Sequence, residues 1–326
     1  MHSIKSLARV TVIIVNWNGG QFVLRCLSAL ARQTYRDFRV VVIDNASSDG
    51  SDARIESQFP GVKLVRAGAN VGFARGNNIG FGHAEGSEFV VLLNPDAFAE
   101  REWLEKLVEA AGQHPDCASI GSRLLRADDP LTLDGIGDVY HVSGVHWREG
   151  FGKPLAPWSL VGKEIFSPCA ASALYRLSAI RAVGGFDEDY FCYSEDVDLG
   201  FRLRLAGYRS WYAPDSVVHH VGSATTGKTS DFTMYHGCRN TIWTYVKNMP
   251  GPLFWALLPA HLFVVVMLFC KLAWRGQGAV AYRGFRDAAA GLGTAWRKRR
   301  AIQSARRAGL GDVWRVLNKA LPGFRR

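Results

Sequence analysis

Residues 10–18 read VTVIIVNWN, six consecutive β-branched side chains closed by Asn-Trp-Asn and followed by Gly19-Gly20. The run is too short for an ordinary helix and has no polar alternation, so it predicts a strand buried on both faces. The same form recurs in FRVVVIDN (38–45), VKLVRA (62–67) and EFVVLLNPD (88–96), with helical stretches FVLRCLSALARQ (22–33) and DARIESQF (52–59) between them. Strand, helix and strand at this spacing predict right-handed crossovers and an α/β fold, a doubly wound, mostly parallel sheet flanked by helices. In open sheets of this kind ligands bind at the carboxyl ends of the strands. Three polar loops would gather there: Asp44 to Gly50, Asn70 to Asn78, and Asn94-Pro95-Asp96.

The second half is less regular. An antiparallel section is expected over 130–175, then a helix opened by Ser194-Glu195-Asp196-Val197-Asp198 and closed near Gly207, then the run WYAPDSVVHH (211–220). A length of 326 residues with 48% apolar side chains and ten Trp suits a well-packed core and excludes a disordered chain. Six cysteines without a C-x-x-C pair argue against a zinc ribbon, a redox motif or a disulfide framework.

The net charge of +10 is unevenly placed. From Lys271 onward there are fourteen Lys and Arg against Asp287 and Asp312, so residues 1–270 are close to neutral. Just before this tail runs PLFWALLPAHLFVVVMLFC (252–270), nineteen residues, close to the length that spans a bilayer. A basic tail with Trp274, Trp296 and Trp314 beside it reads as a membrane-surface feature, and without any nucleic-acid-binding module no nucleic-acid partner is expected. The division expected is a catalytic domain over 1–250 and a membrane-associating extension over 251–326. The apolar run VTVIIV is shorter than the core of a secretory signal, and none is expected. A full crossing at 252–270 would separate the body from the cationic tail, so the segment is expected to dip into or lie in the interface, with Pro259 and His261 allowing a bend.

Asp96, at the end of VVLLN, is placed to hold a divalent cation bridging two phosphates, because hard cations take oxygen ligands and need few protein groups when phosphates supply the rest. Asp44 stands similarly after VVVI. Both residues also suit turns, where Asp bonds its own backbone. Ser194 followed by acids suits a helix N-terminus, but three acids in four positions exceed what capping needs. His219 and His220 close an apolar run, where a histidine packs as a core residue or ligates a metal through a neutral ring nitrogen.

Taken in order, VTVIIVNWNG, VVVIDNASSDGS, NVGFARGNN, VVLLNPDA, GGFDEDYFCYSEDVDLGFRLRLAGYR and VVHHVGSAT resemble the family 2 inverting glycosyltransferases of the GT-A fold, and within them the bacterial rhamnosyltransferase-like enzymes. The resemblance covers about residues 9–248. It implies that Asp44 contacts the donor base, that Val15, Asn16 and Asn18 lie close to the nucleotide, and that Asn70, Gly72 and Asn78 line the same pocket. Asn94-Pro95-Asp96 stands where the family commonly has Asp-x-Asp, so Asp96 takes the metal, Mn2+ or Mg2+, and Asn94 contributes a neutral contact. Asn77 stands where many relatives carry Arg, with Arg75 beside it. Asp196, paired with Glu195, is the implied general base, and His220 completes the metal site. A nucleotide-diphosphate sugar is the implied donor, with dTDP-rhamnose the first to test. The membrane segment suggests a lipid-linked glycan acceptor, with Arg239-Asn240 candidates for its phosphate, and a place on the cytoplasmic face of the bacterial inner membrane, peripheral or monotopic.

Two rival readings stand beside this one. GSATTGKT (222–229) fits the phosphate-loop pattern G-x-x-x-x-G-K-[ST], which would make the chain a nucleoside triphosphatase; that motif needs a strand before it, a helix after it and further parallel strands downstream. A transferase-shaped domain that binds a sugar nucleotide at the membrane without turnover is the other.

Overall fold

The computed structural model describes residues 8–222 and 230–320. The strands are β1 (Val10–Asn16), β2 (Phe38–Asp44), β3 (Lys63–Arg66), β4 (Phe89–Leu93), β5 (Ala97–Ala99), β6 (Cys117–Arg126), β7 (Leu133–Gly135), β8 (Asp138–Tyr140), β9 (His146–Arg148), β10 (Lys163–Glu164), β11 (Ser172–Arg176) and β12 (Arg209–His220). The α-helices are α1 (Gly20–Ala31), α2 (Ser51–Gln58), α3 (Gly72–Gly82), α4 (Trp103–Gln113), α5 (Leu177–Ala182), α6 (Glu195–Leu205), α7 (Asp231–Asn248), α8 (Gly251–Trp274), α9 (Gly278–Ala290), α10 (Leu292–Ser304) and α11 (Leu310–Val316).

The main sheet runs β10-β12-β6-β11-β4-β1-β2-β3, with β5 added on β12 and β7 on β6. β3, β2, β1 and β4 are parallel; β11 enters antiparallel between β4 and β6. The β-branched run of β1 is buried along its whole length, and its period of two divides the core. Val10, Val12 and Ile14 face the layer of α1 and α4, whereas Ile13 and Val15 face that of α3, α5 and α6. This is the GT-A-like α/β arrangement, a mostly parallel central sheet between two helical layers. β3 is the edge strand, and its half-exposed residues depart from the fully buried run expected of VKLVRA.

α6 is apolar on two faces. Leu199 and Leu203 pack on the sheet side, and Val197, Phe201 and Leu205 pack with Tyr245, Val246, Met249, Phe254, Ala295 and Val313 from the C-terminal helices. One core therefore joins residues on both sides of position 250. α8 is long and apolar enough to cross a membrane by length and composition, with mean hydropathy 2.3 in its best window. It is one continuous helix that runs through Pro259. His261, near its middle, is buried: its Nδ1 lies 2.8 Å from the Ser143 carbonyl and its ring stacks on Tyr245 at 4.0 Å. Gly144, at φ +86°, permits that approach, since a Cβ there would stand 2.5 Å from the His261 ring.

Candidate active site

Register brings the carboxyl-end loops together. β5 pairs antiparallel with β12 so that His220 lies opposite Ala97, next to Asp96, and β7 pairs with β6 so that Asp134 arrives on the same side. His220 Nε2 is 3.3 Å from Asp96 Oδ1, and His220 Nδ1 is 2.7 Å from Asp134 Oδ2. Burial disfavours the imidazolium, but the two carboxylates more than offset this and raise the His220 pKa above the usual histidine value. Asp96 Oδ2 also accepts from the Gly222 amide at 3.1 Å. Asn94 completes the group, with its Nδ2 3.4 Å from His220 Nε2 and its Oδ1 buried without a hydrogen-bond partner.

The second cluster is joined to the first through Arg148. The β8–β9 hairpin pairs Asp138 with Arg148, and the Arg148 guanidinium forms an ion pair with Asp134. Burial acts to lower the Arg148 pKa, but a surrounding set that includes Asp134, Asp138 and Asp196 raises it, so the cation is held firmly. Asp196 Oδ2 accepts from the Ala170 amide at 3.1 Å, while the next residue, Ala171, accepts through its carbonyl from the Asn94 amide at 3.0 Å. Asn94 and Asp196 thus bond to adjacent residues, Ala171 and Ala170, just before β11. Glu195 is buried with Oε2 unpartnered, and burial followed by the Asp196 charge pushes its pKa well up. The same two causes raise Asp138, and burial lowers His146, whose Nε2 lies 3.0 Å from Ser194 Oγ. Among the carboxylates of this cluster, Asp196 is the one that is partly exposed.

The third group surrounds Asp44. Its Oδ1 accepts from Asn16 Nδ2 at 3.1 Å and its Oδ2 from the Ser47 amide at 3.2 Å. Asn18, at φ +51°, accepts the Ser48 amide on Oδ1 and donates its own amide to Ser47 Oγ. Asn45 donates to Asn70 Oδ1 at 2.8 Å and accepts from the Val71 amide, fastening the second loop to the third. Gly72, at φ +81°, lies against Phe191, whose carbonyl accepts the amides of Phe73 and Ala74 at the start of α3. A Cβ on Gly72 would come within 2.6 Å of that carbonyl.

Several expected contact residues are tied into the surrounding loops. Val15 is buried beneath Gly76, and Asn16 is buried behind Asp44 with its amide shared among Asp44, Ser47 and Ser51; neither side chain faces an open pocket. Asn78 is committed to the neighbouring loop, donating to the Phe186 carbonyl and Glu188 and accepting the Phe186 amide. Asn77 bonds the Phe73 carbonyl within its own helix, whereas Arg75 is exposed, 3.7 Å from Glu188. Arg239 and Asn240, the expected acceptor contacts, hold the 189–193 turn by donating to the carbonyls of Asp189, Tyr190, Cys192 and Tyr193. Sequence reading missed Asn45, Asp134, Asp138, His146 and Arg148; the one signal for the acids was the pair of Asp-Gly and Gly-Asp steps in LDGIGD.

Asp96 and His220 offer an oxygen and a ring nitrogen side by side, His220 Nδ1 is engaged by a carboxylate that fixes the ring, and the unpartnered Asn94 oxygen lies alongside. That donor set fits a divalent cation completed by phosphate oxygens, since a second-shell carboxylate on the distal nitrogen orients a metal-binding histidine. Among the described residues no three His, Cys, Asp or Glu side chains converge to hold a metal unaided. Of the 222–229 segment Gly222 alone is described; the rest of the phosphate-loop match lies outside the described residues. A strand and a helix flank it, but among the described residues every later element is helical, without the downstream parallel strands such a loop requires.

Comparison with known proteins agrees with this arrangement. The family model described as glycosyl transferase family 2 matches residues 11–184, and glycosyl transferase family group 2 matches 139–274. The N-acetylglucosaminyl-diphospho-decaprenol L-rhamnosyltransferase of Mycobacterium tuberculosis is 31% identical over 78% of this chain and 92% of its own length. The O-antigen chain rhamnosyltransferase WbaN of Salmonella anatum is 25% identical over 70% of this chain and 72% of its own. Among solved structures, a mannosyltransferase from Pyrobaculum calidifontis in complex with GDP-Man and Mn2+ shares the fold, with TM-score 0.55 and 19% identity over 94% of this chain and 87% of that one. With the family model covering more than half of the residues and a 31% identical relative matched almost end to end, the chain belongs to glycosyl transferase family 2, as a rhamnosyltransferase-like enzyme.

Proposed function

We propose that the chain transfers a sugar, rhamnose first among candidates, from a nucleotide-diphosphate donor to a hydroxyl of a lipid-linked glycan acceptor in envelope polysaccharide synthesis. The observation that carries this reading is the pair of clusters tied to adjacent residues of the segment before β11: Asn94, beside Asp96 and His220, through the Ala171 carbonyl, and Asp196 through the Ala170 amide. Asp44, with Asn16, Asn18 and Asn70 bracing its loop, receives the donor base, and Arg75 is the exposed cation of the α3 loop. Asp196 takes the proton of the acceptor hydroxyl as its oxygen bonds to the anomeric carbon, while the bond from that carbon to the donor diphosphate breaks and the electron pair leaves on the diphosphate. Glu195, whose pKa burial and the Asp196 charge push well up, holds its proton more readily than a free carboxylate and so lessens the negative charge beside Asp196. A divalent cation on Asp96 and His220, Mn2+ or Mg2+, supplies charge neutralisation at the leaving diphosphate when bound. The decaprenol-linked acceptor in the name of the mycobacterial relative supports the lipid-linked choice.

Residues 1–250 form the catalytic part and 251–326 the membrane-associating part of this proposal. The pinning of His261 to Ser143 and Tyr245 favours α8 lying along the membrane over crossing it, because its midpoint is held against the catalytic body. This supports peripheral or monotopic association, placed on the cytoplasmic face where sugar nucleotides and positive charge belong. The test uses the full chain with dTDP-rhamnose and other nucleotide sugars on prenyl-diphosphate N-acetylglucosamine, with Mn2+, with Mg2+ and after chelation. Transfer restored by either ion after chelation is expected; donor binding without any turnover would favour a binding module instead.

A further inference from the structure

An apolar groove of about 570 Å3 lies between α7, α8 and α10. Tyr245, Phe254, Leu258, Val265 and Trp296 form its walls, a volume and lining typical of small-molecule sites. The walls are held in place: Phe254 packs edge-on against Trp296, and the buried Arg299 guanidinium lies 4.6 Å over Phe254 while donating to the Val246 and Met249 carbonyls. Leu262 both lines the groove and is 56% exposed, on the flank of α8 that also displays Trp255, Phe263 and Val266. Through Leu262 the groove adjoins the exposed apolar flank of α8.

Its other lining is cationic. Arg297 and Arg300, both exposed, stand along α10, and no acidic partner bonds either of them among the described residues. A purely hydrocarbon occupant would leave these two charges unanswered, and a free phosphate would leave the apolar walls unfilled. Between them on α10, Lys298 bonds Asp187 and Asp189 at 2.5 and 2.6 Å, in the segment that leads into Glu195 and Asp196. We infer that this groove seats the first isoprenoid units of a prenyl-diphosphate acceptor, with Arg297 and Arg300 facing its diphosphate. The inference rests on the proposed acceptor class and adds a site for the lipid chain itself.

The test measures equilibrium binding of farnesyl diphosphate to the full chain, its Val265→Trp variant and its Arg297→Ala/Arg300→Ala variant. Val265→Trp fills the groove, and the arginine pair is exposed, so at least one variant folds as the parent does. Each is expected to weaken farnesyl diphosphate at least about tenfold, and both are expected to lower transfer to long-chain acceptors more than to a short alkyl-diphosphate acceptor. Equal binding to all three proteins overturns the inference. So does competition by inorganic diphosphate as effective as that of farnesyl diphosphate, which marks a simple anion site, or complete displacement by neutral phospholipid vesicles, which marks a membrane contact. Groove-dependent farnesyl diphosphate binding in a protein that transfers no sugar to any lipid-linked acceptor supports the groove and overturns the proposed activity.

Discussion

Asp196 and Asp198 stand two residues apart in the first turn of α6 and meet opposite physical conditions. Asp198 is fully buried and accepts hydrogen bonds from Tyr190, Lys247, Asn248 and Arg202 at 2.7 to 3.2 Å. Asp196 is partly exposed, steadied by the Ala170 and Val197 amides, with one flank toward solvent. At about 100° per residue two positions on a helix face nearly opposite ways, which turns one acid into the C-terminal core and the other into the cleft. A carboxylate surrounded by fixed cations is a structural anchor, and one left beside unsatisfied acids at a solvent edge can exchange a proton.

The largest expected effect tests the chemical half of this contrast. Asp196→Asn should lower kcat by roughly 10²- to 10⁴-fold, the worth of a positioned general base, with thermal unfolding little changed. If activity survives, the base lies elsewhere. Next in size, Asp198→Ala should leave activity measurable only where the protein stays folded, since it strands Lys247 and Arg202; a loss of about 3–5 kcal/mol in denaturant unfolding is expected. An unchanged unfolding midpoint would remove Asp198 from the structural side.

The acid limb of stability sharpens the same point. Burial acts to raise the Asp198 pKa, but Lys247 and Arg202 more than offset it, so its folded pKa lies below the unfolded value. Its stabilisation is therefore fully present above the unfolded aspartate pKa of about 4 and is lost as pH falls below that toward the folded pKa. Unfolding followed against pH should show this acid limb in the wild type and a shallower one in Asp198→Asn. Smallest of all, Glu195→Gln copies the neutral acid that burial enforces, so kcat should change by no more than about fivefold, ~1 kcal/mol. A loss approaching that of Asp196→Asn would make Glu195 the proton acceptor and reverse their roles.

Much of the parallel half was legible because β-branched runs such as VTVIIV and VVVI carry their own signal, and the loops after them hold Asp44 and Asp96. The antiparallel half was less so, since β7, β8 and β9 are three residues each and carry no period long enough to read. Asp134 and Arg148 depend on that register and stayed invisible as site residues. Asn78, Arg239 and Asn240, expected at the ligands, also bond to neighbouring loops across 47 to 110 positions, partners that no local sequence pattern reveals.

Just ahead of Asp196, Phe191, Tyr193 and Ser194 all adopt positive φ between 63° and 67°. Left-handed backbone at non-glycine residues costs roughly 1–2 kcal/mol each, so this short stretch is wound against its own preference. Asn240 of α7 and the amides opening α3 hold the winding, which makes the position of Asp196 a property of two distant helices acting as latch and catch. Loosening that latch at Asn240 would let the turn unwind and carry Asp196 with it, without any change within α6 itself.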